Sequence, residues 1–267
     1  MSASPSPRVG FLITCLADIF RPTVGFAGIE LLSRAGCRVA VPEGQTCCGQ
    51  FAYNSGDVVG ARLLAKRVIT GFAGFDYVAT PSGSCATMLK KHYRELFHGD
   101  RKWEPRAQDL AGRCFELTSF LVDIRGSTGD SPPPDVLPAH SGAITYHDSC
   151  TGLRELGIRG QPRALLGRIK GLRLQELGHP GVCCGFGGSF CLEFPEISAQ
   201  MVSNKVAAIQ KSGADILLGG DLGCLINIAG RLERLESPCK VYHVAEVLAG
   251  IDAPPIGGGG QASPPPV

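Results

Sequence analysis

The stretch Cys183-Cys184-Gly185-Phe186-Gly187-Gly188-Ser189-Phe190 decides the fold, because its first three residues repeat a triplet already passed at Cys47-Cys48-Gly49. Working outward, a cysteine stands 32 residues before the first triplet and 33 before the second, at Cys15 and Cys150. Another follows the second cysteine of each triplet by 37 and 40 residues, at Cys85 and Cys224. The flanks agree too. Arg8-Val9-Gly10-Phe11-Leu12-Ile13-Thr14-Cys15 parallels Ala143-Ile144-Thr145-Tyr146-His147-Asp148-Ser149-Cys150, and Pro81-Ser82-Gly83-Ser84-Cys85 parallels Gly220-Asp221-Leu222-Gly223-Cys224. Eight cysteines in register mark an internal duplication. The chain divides into a first module at 8–125, a linker at 126–140 containing Ser131-Pro132-Pro133-Pro134, a second module at 141–252 and a disordered Gly- and Pro-rich tail at 253–267.

Each module alternates strand and helix signals. Short apolar runs at Val9–Thr14, Arg38–Val41 and Tyr77–Thr80 read as strands, echoed near 143–146, 173–175 and 216–219. Helices are expected near 25–35, 57–71, 87–97 and 196–212, and the apolar stretches Phe115–Ile124 and Val241–Ile251 are expected to be helical. Such alternation predicts an α/β fold: two tandem duplicated Rossmann-like modules with parallel sheets, related by internal pseudo-symmetry. Cys15, Cys85, Cys150 and Cys224 each follow a strand, and both Cys-Cys-Gly triplets fall in loops. In open α/β sheets, sites form outside the carboxyl ends of the strands. The topology therefore predicts one four-cysteine site per module: Cys15, Cys47, Cys48 and Cys85 in one, Cys150, Cys183, Cys184 and Cys224 in the other.

Composition narrows the chemistry. Of 267 residues, 44% are hydrophobic and 19% charged, enough for a real core, and a net charge of +2 without a basic run gives no case for nucleic acid. No segment approaches the length of a membrane span, and no export signal is evident, so a cytoplasmic protein is expected. Twelve cysteines in a reducing compartment point to metal ligands or redox thiols, not disulfides. Four thiolates with neighbouring glycines suit an iron–sulfur cluster, and zinc is the main competitor. A redox dithiol ranks lower, since Cys47-Cys48 forms only a strained vicinal disulfide. Cys37, Cys114 and Cys239 read as core residues and Cys191 as ambiguous. His147 and Asp148 read as loop groups able to hydrogen-bond a cluster. No dinucleotide fingerprint, P-loop or Ser/His/Asp set is present, so no catalytic residue is assigned.

The doubled Cys, Cys-Cys-Gly, Cys pattern resembles the cysteine-rich CCG domain of iron–sulfur proteins. That domain occurs in heterodisulfide reductase, in the iron–sulfur component of glycolate oxidase and in the lactate utilization protein A family. The stretches around Cys85, Cys150 and Cys183-Cys184 look most like the lactate utilization group. The resemblance implies two clusters of the 4Fe-4S type on the eight cysteines, and a role as electron-transfer subunit in a complex oxidising L-lactate to pyruvate. It implies partner subunits, one ferredoxin-like, with docking at the inner face of the membrane through those partners left open. It also leaves open zinc in one module, a glycolate or heterodisulfide substrate system, and a zinc-stabilised scaffold. One departure stands out. The full pattern ends in Cys-x-x-Cys, and here Ser82 and Asp221 replace the first cysteine of that pair, which leaves four thiolates per site and an oxygen of Asp221 as a further candidate ligand.

Overall fold

The computed structural model describes residues 6–126, 143–178 and 181–257. All but Gly126 of the expected linker, and residues 258–267 of the expected tail, lie outside the described residues.

Strands β1 (Arg8–Phe11), β2 (Arg38–Ala40), β3 (Tyr77–Thr80) and β4 (Cys114–Glu116) form one sheet in the order β2-β1-β3-β4. Strands β5 (Ile144–His147), β6 (Leu174–Gln175), β7 (Ile216–Gly219) and β8 (Lys240–His243) form a second in the order β6-β5-β7-β8. Every neighbouring pair is parallel. The α/β class and the pair of similar modules follow directly. In each sheet the chain steps from its first strand to one side, then returns across it to the third strand. The crevice between first and third strands is thus a topological switch point, the place where such sheets hold ligands.

The fourth strands correct the expectation for Phe115–Ile124 and Val241–Ile251. Both stretches begin as strands and only then turn into helix, Leu117–Ser119 running into a π-helical turn at Phe120–Ile124, and Val244–Ala249. Strand and helix are both largely buried, so hydrophobic periodicity does not mark the change. What marks it is a cap. The Glu116 carboxylate accepts from Thr118 N (2.9 Å) and Ser119 N (3.1 Å), and His243 Nδ1 accepts from Ala245 N (3.2 Å). The expected helix at 87–97 also begins earlier, at Gly83, with Ser82 as its cap.

The modules interlock. Helix Val244–Ala249 of the second packs on helix Pro22–Arg34 of the first, and the turns after β4 pack on helix Gly160–Leu166. One core gathers Phe11, Leu117 and Phe120 with Tyr146, Leu218 and Leu248. Across the junction, Arg21 Nε and Nη2 donate to Glu246 at 2.8 and 3.1 Å, and His243 Nε2 donates to Pro81 O at 3.1 Å. Beyond the last helix, Arg21 Nη2 donates to Pro254 O (2.6 Å) and Ile256 N to Val241 O (2.8 Å). No helix among the described residues is long and apolar enough to cross a membrane.

Candidate metal centres

In the first module Cys15 opens the helix Cys15–Phe20 directly after β1, and Cys85 sits in the helix Gly83–Thr87 directly after β3. Cys47 and Cys48 come from the loop beyond β2. The crevice at the switch point brings the four together: Sγ of Cys15 lies 3.5 Å from that of Cys47, and Sγ of Cys48 lies 3.2 Å from that of Cys85. Gly49 follows at φ 85°, a left-handed conformation that suits glycine, and its N–H donates to Cys47 Sγ (3.4 Å).

The second module repeats this. Cys150 opens helix Cys150–Leu156 after β5, Cys224 lies in the first turn of Leu222–Arg234 after β7, and Cys183-Cys184 come from the loop beyond β6. Cys150 and Cys183 sulfurs are 3.8 Å apart, Cys184 and Cys224 sit within 4.8 Å of one another, and Gly185 N donates to Cys183 Sγ (3.4 Å). A Cβ on Gly185 would meet Ser198 O at 2.7 Å, so only glycine lets this loop lie against its helix.

The two sets share one electrostatic pattern. The thiols of Cys15 and Cys48 and the Gly49 N–H all favour negative charge on Cys47, whose pKa is pushed down to about 3. Cys150, Cys184 and Gly185 do the same for Cys183, pushed down to about 2. The donors move the other way: hydrogen bonding to Cys47 raises Cys15 and Cys48, and hydrogen bonding to Cys183 raises Cys150 and Cys184. Each site thus favours negative charge on one sulfur within a ring of thiols, the donor chemistry of a soft metal centre.

The walls differ. The first site packs Cys48 and Cys85 in an apolar cluster with Leu12 and Val68. The residue corresponding to Leu12, three before the first cysteine, is His147. It is fully buried, its Nδ1 and Nε2 have no hydrogen-bond partner among the described residues, and a ring nitrogen lies within 4.8 Å of the Cys184 and Cys224 sulfurs. Burial, followed by the field of Lys205, pushes its pKa down to about 3, so the imidazole is neutral with one N–H and one lone pair. Lys205 is only 1% exposed, and burial lowers its pKa against the opposing pull of the Cys184, Cys224 and Cys183 thiols. Asp148, beside His147, holds Arg163 by two bonds of 2.8 Å each.

Ser82 and Asp221, the positions departing from the full pattern, meet across the modules. Asp221 Oδ2 accepts from Ser84 N (2.9 Å), Ser82 Oγ (3.1 Å) and Ser149 Oγ (3.4 Å). That oxygen is committed to holding the modules together. Phe186 and Asp221 of the second module also line the crevice in front of the first site.

The other cysteines stand apart from these sets. Cys37 and Cys114 are buried in the core, and burial pushes Cys114 up to about 12 and Cys239 up to about 11. Cys191 Sγ contacts Gly188 O at 3.4 Å. Sequence reasoning left Lys205 unnoticed. Its signal was present: a lysine inside the otherwise small and apolar stripe Ser198, Val202, Val206, Ile209 of helix Pro195–Ser212.

Comparison with known proteins agrees with this duplication. A family model described as a cysteine-rich domain, CCG, matches residues 9–90 and again 144–229. Lactate utilization protein A of Geobacillus kaustophilus (strain HTA426) is 49% identical over 241 residues, covering 90% of this chain and 98% of that protein. Lactate utilization protein A of Bacillus subtilis (strain 168) is 46% identical over the same shares.

Proposed function

The chain belongs to the cysteine-rich CCG-domain family that includes lactate utilization protein A, and we propose on that premise that it is an iron–sulfur electron-transfer subunit of a complex oxidising L-lactate to pyruvate. The observation that carries the reading is the pair of four-thiol sets, each at the switch crevice of its own sheet. A thiolate-held iron–sulfur cluster supplies one-electron transfer. Cys15, Cys47, Cys48 and Cys85 would hold one, and Cys150, Cys183, Cys184 and Cys224 the other. Cys47 and Cys183 offer the first thiolates, while Gly49 and Gly185 N–H groups stabilise negative charge there. Leu12 and Val68 pack in the apolar cluster that buries Cys48 and Cys85.

Partner subunits, one of them ferredoxin-like, would dock through exposed apolar side chains that follow the cysteines in sequence. Ile19 and Phe20 end the helix that Cys15 begins, at 69% and 63% exposure, and Leu192 lies eight residues past Cys184 at 77%. Apolar side chains this open suit docking. The chain would then work in the cytoplasm, reaching the membrane only through its partners.

A zinc-stabilised scaffold is the second reading, and the sulfur spacing of one pair in each set fits it. Four thiolates about 2.3 Å from one zinc ion stand about 3.8 Å apart, close to the 3.5 and 3.8 Å of Cys15–Cys47 and Cys150–Cys183. Anaerobic purification with iron, sulfide and zinc quantitation on one sample decides. Iron with matching sulfide, and a brown colour bleached by dithionite, is the expected result. Colourless zinc protein would establish the scaffold. Growth of a deletion strain tests the substrate: loss of growth on L-lactate is expected, and normal growth there with failure on glycolate would reassign the complex.

A further inference from the structure

The two sites share a backbone and a thiol set, but not a wall. Register fixes the comparison. Leu12 and His147 both stand three residues before the first cysteine of their module. On the long helices, a Cβ at Gly49 would meet Ala61 O, and one at Gly185 would meet Ser198 O, so Ala61 corresponds to Ser198. The buried stripes then run in parallel, Ala61, Ala65, Val68 and Ile69 against Ser198, Val202, Lys205 and Val206. Val68 corresponds to Lys205. Two apolar residues against the first set of thiols have become an imidazole and an ammonium against the second.

A fully buried imidazole with neither nitrogen partnered is expensive to keep in a folded chain. Its cost is recovered when something enters the site that accepts its N–H. The thiols of Cys184 and Cys224 are the groups it faces. Hydrogen bonds to thiolate or cluster sulfur, and nearby positive charge, stabilise the more negative reduced form and so raise the reduction potential. Leu12 and Val68 give the first site neither.

We propose that His147 is a hydrogen-bond donor to the metal-bound sulfur of the second module, and that with Lys205 it holds that site at a higher reduction potential than the first. An electron given to the chain by a reductant then rests on the second site, the first becoming oxidised as the second is reduced. This rests on the reading of both sites as iron–sulfur centres, and His147 acts by positioning and polarising, not as a replacement for any of the four thiolates.

The test is a dithionite potentiometric titration of the intact, anaerobically purified chain, followed by electron paramagnetic resonance, with iron and sulfide measured on each sample. Wild type should show two midpoints. His147→Leu, which installs the residue of the first module, should keep full iron and sulfide, lower the higher midpoint and leave the lower one in place. His147→Gln, which retains an N–H donor, should restore much of the shift. Lys205→Met should lower the same midpoint. Clusters with coincident midpoints, or a higher midpoint that His147→Leu does not move, would overturn this inference alone. Loss of half the iron in His147→Leu would also overturn it, by making His147 a ligand. Wild type without iron and sulfide would overturn the functional reading, and this inference with it.

Discussion

The first module backs its thiols with Leu12 and Val68, and the second backs an equivalent set with His147 and Lys205. Strand order, the placement of each cysteine and the left-handed glycine that closes each triplet are the same in both. Duplication has preserved the convergence of the thiols and let the lining diverge. The thiols must converge for either site to exist, whereas the lining only tunes what they hold.

The largest effect should come from removing a thiol. Cys48→Ser and Cys184→Ser should each lose about half of the bound metal, since metal binding is coupled to folding. The two should not be equal. Without its metal the second module keeps a buried imidazole with both nitrogens unpartnered among the described residues, while the first keeps one unpartnered hydroxyl, Thr80 Oγ1. Cys184→Ser is expected to cost about 4 kcal/mol or more, roughly 10 °C in Tm for a chain of this size, and Cys48→Ser distinctly less. Calorimetry with metal analysis on both variants checks this, and equal Tm losses would break the asymmetry.

How much of this was legible beforehand follows from the same contrast. Spacing between identical residues survives in sequence, so the eight cysteines, the duplication and the strands ending at Thr80 and Gly219 could be read directly. The fourth strands could not. Cys114–Glu116 and Lys240–His243 run into helices that are also buried, and their boundary depends on the side chains of Glu116 and His243 folding back on backbone N–H groups. Nor could the meeting of Ser82 and Asp221, which are 139 residues apart and touch only because the modules dock face to face. Lys205 escaped because a lysine on a long helix ordinarily faces water.

The junction between modules supplies the next comparison. Glu246 and Ser119 both stand three residues beyond the cap of the helix that follows the last strand of their module. Glu246 is 1% exposed, paired with Arg21 and also accepting from Thr23, while Ser119 Oγ donates only to Glu116 O (2.8 Å). Glu246→Ala leaves a buried guanidinium without its partner and should cost about 3–5 kcal/mol. Ser119→Ala should cost ~1 kcal/mol. Urea unfolding of both variants measures the difference, and a Glu246→Ala cost below that of Ser119→Ala would show that the ion pair does not hold the modules together.

A smaller contrast lies where helices Gly83–Thr87 and Cys150–Leu156 cross. A Cβ on Gly83 would sit 3.1 Å from Gly152 Cα, which is backbone and cannot turn aside, whereas a Cβ on Gly152 would sit 3.6 Å from its nearest neighbour, Gly83 Cα. Gly83→Ala should therefore destabilise by about 1–3 kcal/mol through overpacking. Gly152→Ala should be neutral or stabilise by ~0.5–1 kcal/mol, because a glycine within a helix is conformationally costly. Tm values moving in the same direction would place the close contact elsewhere.

The smallest effect separates the two caps by pH. His243 is buried, and burial lowers its pKa, so its folded state favours the neutral ring that accepts from Ala245 N and donates to Pro81 O. Its contribution is complete above its unfolded pKa of about 6.5 and declines as pH falls below that. Glu116 is buried in the equivalent position, and burial raises its pKa, so its contribution is greatest below the ordinary carboxylate pKa and declines as pH rises through the folded value. The caps of the two modules thus pull the stability optimum from opposite sides. His243→Asn, which can cap but not titrate, should flatten the acid side of a Tm–pH profile between about pH 5 and 7. Glu116→Gln should flatten the rise toward acid that Glu116 itself contributes. Because the metal sites of both variants are unaltered, any acid lability of the centres is common to variant and wild type, and the difference profile isolates each cap. A His243→Asn profile parallel to wild type would mean that protonation of His243 is not linked to unfolding.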